Sequence, residues 1–165
     1  MFASIGTNKL DHFYACVSSA IRPGDYLTEF NTPADFAIRI VQSNKLHAPN
    51  SKWRVACLGI QTEVNKESGE YLNNKGKELY IRFSLVQPTQ IYHKFINILQ
   101  VMLVRKKDRT DSFLTNKFNK NILYCDIEKS DSYQAASIQL LDKDFNVASF
   151  ITGETKLQLH FMQIA

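Results

Sequence analysis

The sequence predicts an all-β chain: an antiparallel β-sandwich folded as a single jelly roll of about eight strands, with room for one short helix. Three observations point there. Stretches rich in aromatic and β-branched residues recur at short intervals, separated by Gly, Pro, Asn and Asp turn signals, which is the spacing of sandwiches and barrels. In the closing stretch Leu157, Leu159 and Phe161 alternate with Lys156, Gln158 and His160, the pattern of a strand with one dry face. And 165 residues suffice for one well-buried core but not for two, so residues 1–165 read as one domain.

The elements follow in order. Residues 12–19 (HFYACVSS) form a first strand, closed by the turn signal Arg22-Pro-Gly-Asp25. In 35–41, Phe36, Ile38 and Ile40 alternate with Ala37 and Arg39, giving a second strand with one polar face. After a loop over 43–51, residues 52–63 are apolar on both faces at their centre, which suits a central strand with Trp53 anchoring one end of the core. Residues 65–77 carry Ser-Gly and Asn-Asn-Lys-Gly turn chemistry and read as a hairpin loop. The next strand places Leu79, Ile81, Phe83 and Leu85 on one face and ends at Pro88.

Residues 91–104 are ambiguous. Ile91, Phe95, Ile98, Leu99 and Met102 recur at helical spacing, whereas Val101, Leu103 and Val104 favour a strand, so the expectation is a helix or a helix followed by a strand. Residues 121–128 and 133–141 read as two further strands. The final segment, 138–161, reads as three short strands joined by turns at 142–146 and 152–154.

Composition narrows the function. The formal charge of +4 is mild, but segment 105–120 holds Arg105, Lys106, Lys107, Arg109, Lys117 and Lys120 against only Asp108 and Asp111. A solvated loop is the first explanation of such a run. Contact with a partner or with nucleic acid is the second, because Phe113 and Phe118 lie among the cations and could stack on bases. The three cysteines are odd in number, distant and set among apolar neighbours, which predicts free buried thiols. No charged-then-apolar leader, 18-residue apolar run or Asn-x-Ser/Thr acceptor is present, so a cytosolic chain without a membrane-spanning segment is expected.

Catalytic and metal motifs are missing. The four histidines, His12, His47, His93 and His160, form no close pair in sequence, no Cys-x-x-Cys or Gly-x-Ser-x-Gly occurs, and His160 reads as an outward-facing strand residue. Asp126 and Glu128 could act as paired carboxylates but read better as an outer strand face, and Asp142 and Asp144 as turn residues. The expectation is no enzyme, no cofactor and no metal. A carbohydrate- or protein-binding sandwich is the alternative, with Tyr71, Tyr80 and Tyr92 as candidates for an aromatic patch.

Four stretches carry a family resemblance: FYACVSS at 13–19, KWRVACLGI at 52–60, LYCDIE at 123–128 and GETKLQLHF at 153–161. In this order they resemble the small penton-type minor capsid proteins of Polinton-like elements, adintoviruses and related double-stranded DNA viruses. The chain departs from that pattern in its compact 105–120 loop and in the Met-Gln that follows Phe161, where an arginine is common. The resemblance implies a jelly roll without catalytic residues. It also implies a homo-oligomer, a pentamer, at capsid vertices beside a larger major capsid protein, located in the virion and in host cytoplasm or nucleus during assembly.

Overall fold

A computed structural model describes residues 10–20, 31–104, 112–129, 133 and 135–164. Within them the regular structure is mostly antiparallel strand, with two short helices. One sheet contains β1 (His12–Ser18), β11 (Ile151–Gln163), β3 (Trp53–Val64) and β8 (Phe113–Lys117) in that order, with the short β9 (Cys125–Asp126) also on β3. The second sheet has the order β2 (Asp35–Arg39), β10 (Ala135–Leu141), β4 (Glu78–Phe83) and β7 (Ile98–Leu103). A small hairpin of β5 (Thr89–Ile91) and β6 (Lys94–Ile96) stands apart from both. With β5, β6 and β9 set aside, the first of eight strands pairs with the last, the second with the seventh, the third with the sixth and the fourth with the fifth.

The two sheets face each other across one core. Phe13, Val55, Leu159 and Phe161 from the first sheet join Phe36, Ile81, Phe83, Ile138 and Leu140 from the second. Phe161 stacks on Phe13 at 4.6 Å and meets Phe83 edge-on at 6.5 Å, so aromatic packing crosses between the sheets. The alternation expected of β2 is present, with Phe36, Ile38 and Ile40 buried and Arg39 exposed. β3 is central, paired along one side by β11 and along the other by β8 and then β9, which accounts for its apolar middle.

Both edges of the second sheet are capped by amide side chains. Asn31 accepts from the Ala37 backbone N–H at 3.0 Å and donates to the Ala37 carbonyl at 3.5 Å, taking the place of a neighbouring strand. On the opposite edge Gln100 accepts from the Val101 N–H at 2.9 Å and donates to the Asn121 carbonyl at 3.3 Å. Edge groups satisfied in this way are less open to pairing with another chain.

Several local expectations are corrected. Residues 91–104 contain no helix: they form the end of β5, all of β6 and β7. A bulge explains the helical spacing. Between the pairs Ile81–Gln100 and Arg82–Ile98, Leu99 is an extra residue, so Leu99 and Met102 enter the core while Ile98 and Val101 face out. The outward pair is apolar because Tyr80, Ile98 and Leu141 are covered by Ile91, Ile96 and Phe145, which gives this sheet a second small cluster on its other face.

The helices lie elsewhere. α1 (Ser43–Leu46) is a single turn, and α2 (Gly69–Asn74) replaces the hairpin loop expected at 65–77. That link joins strands of different sheets. The Ser68 side chain starts α2 by accepting from the Glu70 N–H at 3.2 Å, and Tyr71 is buried against Phe150. The closing segment is two strands in different sheets, not three. Gly153 bulges the continuous β11 at φ +70° where a turn was expected. Residues 121–128 supply only the two-residue β9, and segment 105–120 contains β8.

Candidate functional site

The basic cluster is only partly within the described residues. Arg105, Lys106, Lys107 and Arg109 lie outside them. Lys117 ends β8 and Lys120 sits in the turn after it, both exposed, and both border a shallow depression of about 560 Å³ beside β7. Phe118 is buried in the core and cannot stack on a base, while Phe113 is exposed. The carboxylate pairs serve structure. Asp126 holds Arg54 at 2.6 Å, and Asp142 Oδ1 accepts from the Asp144 and Asn146 N–H groups at 2.9 and 3.0 Å, closing the expected turn. Asp126 and Glu128 do not share a strand, since β9 ends at Asp126.

The tyrosines proposed for an aromatic patch are not assembled on one surface. Tyr71 is buried in the core. Tyr80 lies beneath the hairpin, stacked on Phe145 at 4.6 Å, and donates its hydroxyl to Glu78. Only Tyr92 is exposed, at the hairpin turn with φ +52°, and it donates to the same Glu78 at 3.3 Å. Burial, and after it the Glu78 carboxylate, push the Tyr80 phenol well above its ordinary range.

The groups that do converge were not expected together. On the outer face of the first sheet, His12 is paired in register with Met162, and Tyr14 with His160. Tyr14 stacks on the His160 ring at 4.5 Å, nearly parallel. His12 Nδ1 lies 3.1 Å from His160 Nε2, one ring nitrogen carrying the proton and the other accepting it. Tyr124, just before β9, places its hydroxyl 2.8 Å from His160 Nδ1. His160 is thus held at both nitrogens and on one ring face. Ala56, its partner in β3, is fully buried although it faces away from the core.

Burial lowers the His160 pKa, and the neighbouring charge of His12 lowers it further. Lys45 is paired with Asp11 at 3.0 Å and Arg54 with Asp126 at 2.6 Å. The outward orientation of His160 agrees with its alternation in the sequence. Its pairing with His12 corrects the expectation of scattered histidines, because 148 residues separate the two and antiparallel register alone brings them together. The remaining histidines stay apart: His47 packs on Tyr133 at 4.6 Å, and His93 is exposed in the hairpin turn.

Two residues further along β1 and β11 lies a groove of about 1210 Å³, bordered by Cys16, Gly59, Asn116, Lys117, Ile122 and Gln158. Cys16 is exposed, contrary to expectation, because it falls on the outer face of β1; Cys57 is buried and Cys125 half-buried, all three as free thiols. Burial pushes the Cys57 thiol up to about 12. Among the described residues no three His, Cys, Asp or Glu side chains are grouped to hold a metal, and no helix is long and apolar enough to cross a membrane. No protein-family model matches the chain, and no curated protein matches it.

Proposed function

We propose that the protein is a structural subunit of a virus particle: a penton-type minor capsid protein that assembles with copies of itself, as a pentamer, at capsid vertices beside a major capsid protein. The observation that carries this reading is the strand pairing, first with eighth through fourth with fifth, in two facing sheets. This pairing supports reading the sandwich as an antiparallel ribbon rolled into a jelly roll, an architecture shared by viral capsid domains and lectins. The four stretches of family resemblance add support. Distant in sequence, they map to β1, β11, β3 and β9, which pair in that order in one sheet.

Fold alone does not assign function, so the test is assembly. A closed ring requires two different complementary patches on every subunit. Native mass spectrometry of the purified chain should give a species of five 19.0 kDa copies, with rings visible by negative stain. A chain that stays monomeric at high concentration, alone and with the major capsid protein of the same virus, overturns the reading. The large groove favours a second reading, a non-catalytic carbohydrate- or protein-binding module. That reading predicts a monomer retained on a glycan array.

A further inference from the structure

We propose that His12 and His160 form a copper-binding site on the outer face of the first sheet, with the Met162 thioether at its flank. The inference does not depend on the shell-building role. Two nitrogens bound to one ion at about 2.0–2.1 Å stand about 2.9 to 3.4 Å apart for arrangements between right-angled and tetrahedral. His12 Nδ1 and His160 Nε2 are 3.1 Å apart, a separation within that window.

The second layer of contacts suits the same role. Metal-bound imidazoles use their far nitrogen in a hydrogen bond that fixes tautomer and ring orientation. Tyr124 makes that contact on His160 Nδ1 at 2.8 Å, which leaves Nε2 to present its lone pair, while Tyr14 stacked on the ring prevents it from turning. In the metal-free pair His12 Nδ1–H then donates to His160 Nε2, and an incoming ion takes the place of that proton, which moves to His12 Nε2 or to solvent.

Met162 is the register partner of His12 and shares the outer face of β11 with His160, so a soft donor stands beside the two imidazoles. Imidazole ligands suit copper, nickel and zinc, copper(II) heads the affinity order of divalent ions, and a thioether shifts preference further toward copper. On the same strands, Arg54, the register partner of Met162, is ion-paired with Asp126 at 2.6 Å.

The test is titration of the tag-free chain with copper(II) chloride, followed by calorimetry and by electron paramagnetic resonance. One equivalent should bind, with a signal split by two imidazole nitrogens, more tightly than nickel or zinc. H12Q and H160Q should each weaken binding at least about tenfold and remove the two-nitrogen pattern, and Y124F should weaken it about tenfold with the pattern retained. The double variant H47Q/H93Q should bind as the parent does. Thermal melts of all variants show whether the fold is intact, and a loss of binding in H12Q with an unchanged melt is direct support. Copper binding that survives in folded H12Q/H160Q, or that vanishes in H47Q/H93Q, overturns the proposal.

Discussion

Removing the hydroxyl of Thr155 should destabilise the protein far more than removing that of its partner Thr62, although both are fully buried and only 2.7 Å apart. The asymmetry follows from counting protons. Thr155 Oγ1 lies 2.6 Å from the Pro33 carbonyl, which can only accept, so the single Thr155 hydroxyl proton is committed there. Thr62 must therefore be the donor to Thr155. The same residue also ties β11 to the end of β1, its N–H donating to Ser19 Oγ at 2.9 Å and its carbonyl accepting from the Ser19 N–H at 2.9 Å.

Thr155→Val keeps the shape but strands two groups, the carbonyl of the half-buried Pro33 and the fully buried Thr62 hydroxyl. At about 1–3 kcal/mol for an unsatisfied buried group, and about 1 kcal/mol for the carbonyl of the half-buried Pro33, the expected loss is about 2–4 kcal/mol. Thr62→Val strands only an acceptor on Thr155, whose own proton stays bonded, and should cost about 1 kcal/mol. The double variant should be no less stable than Thr155→Val, because it also removes the orphaned Thr62 hydroxyl; this is a coupling of about 1 kcal/mol in a double-mutant cycle. Urea melts with constant m-values measure these differences, and the Thr155 variant should melt about 5–15 °C lower. Equal single effects, or strict additivity, would refute the assignment of donor and acceptor.

Three further outcomes are expected. Gly153→Ala should cost about 1–3 kcal/mol, because a methyl group at φ +70° is strained and would overlap the Glu63 carboxylate; in a Glu63→Ala background the cost should fall to the backbone strain alone, about 1 kcal/mol, as read by denaturant melts. A thiol reagent at pH 8 should label Cys16 rapidly and Cys57 only on unfolding, and stability should fall as pH rises above 9, since the unfolded Cys57 ionises from 9.0 while the folded thiol holds its proton to about 12; Cys57→Ala should remove that slope. Because the folded pKa of His160 is depressed, its contribution is present above its unfolded value of 6.5 and is lost as pH falls through the lower folded value, so melts between pH 7 and pH 4 should show an acid loss that His160→Gln reduces.

Much of the fold could be read from alternation because its main strands have one wet face. β1, β2 and the second half of β11 show Phe13, Phe36, Ile38, Leu157, Leu159 and Phe161 at a period of two, and each of these residues is in the core. Alternation failed where period or sidedness failed. At β7 a bulge after Ile98 turned a spacing of two into a spacing of three, and the hairpin made the outer face apolar as well, so a strand carried the signature of a helix. At Gly153 the glycine signalled a break in regular backbone, but whether the chain reverses there or only bulges depends on β3 beside it, which local sequence does not encode.

The candidate site was hidden for a related reason. Each member is unremarkable in its own strand: His12 precedes a run of aromatics, Tyr124 stands before a two-residue strand, and His160 is one polar residue in an alternating series. Only the register of β11 between β1 and β3 turns them into neighbours, and that register depends on the bulges at Leu58 and Gly153. Shifting β11 by one residue would send Phe161 to solvent and His160 into the core, an exchange that the stacking of Phe161 on Phe13 forbids. The hydrophobic face thus fixes the polar one: the burial that sets Leu157, Leu159 and Phe161 inward also places two imidazoles 3.1 Å apart outward. Substitutions at His12 should accordingly change what the surface binds while leaving the sheet beneath it in place.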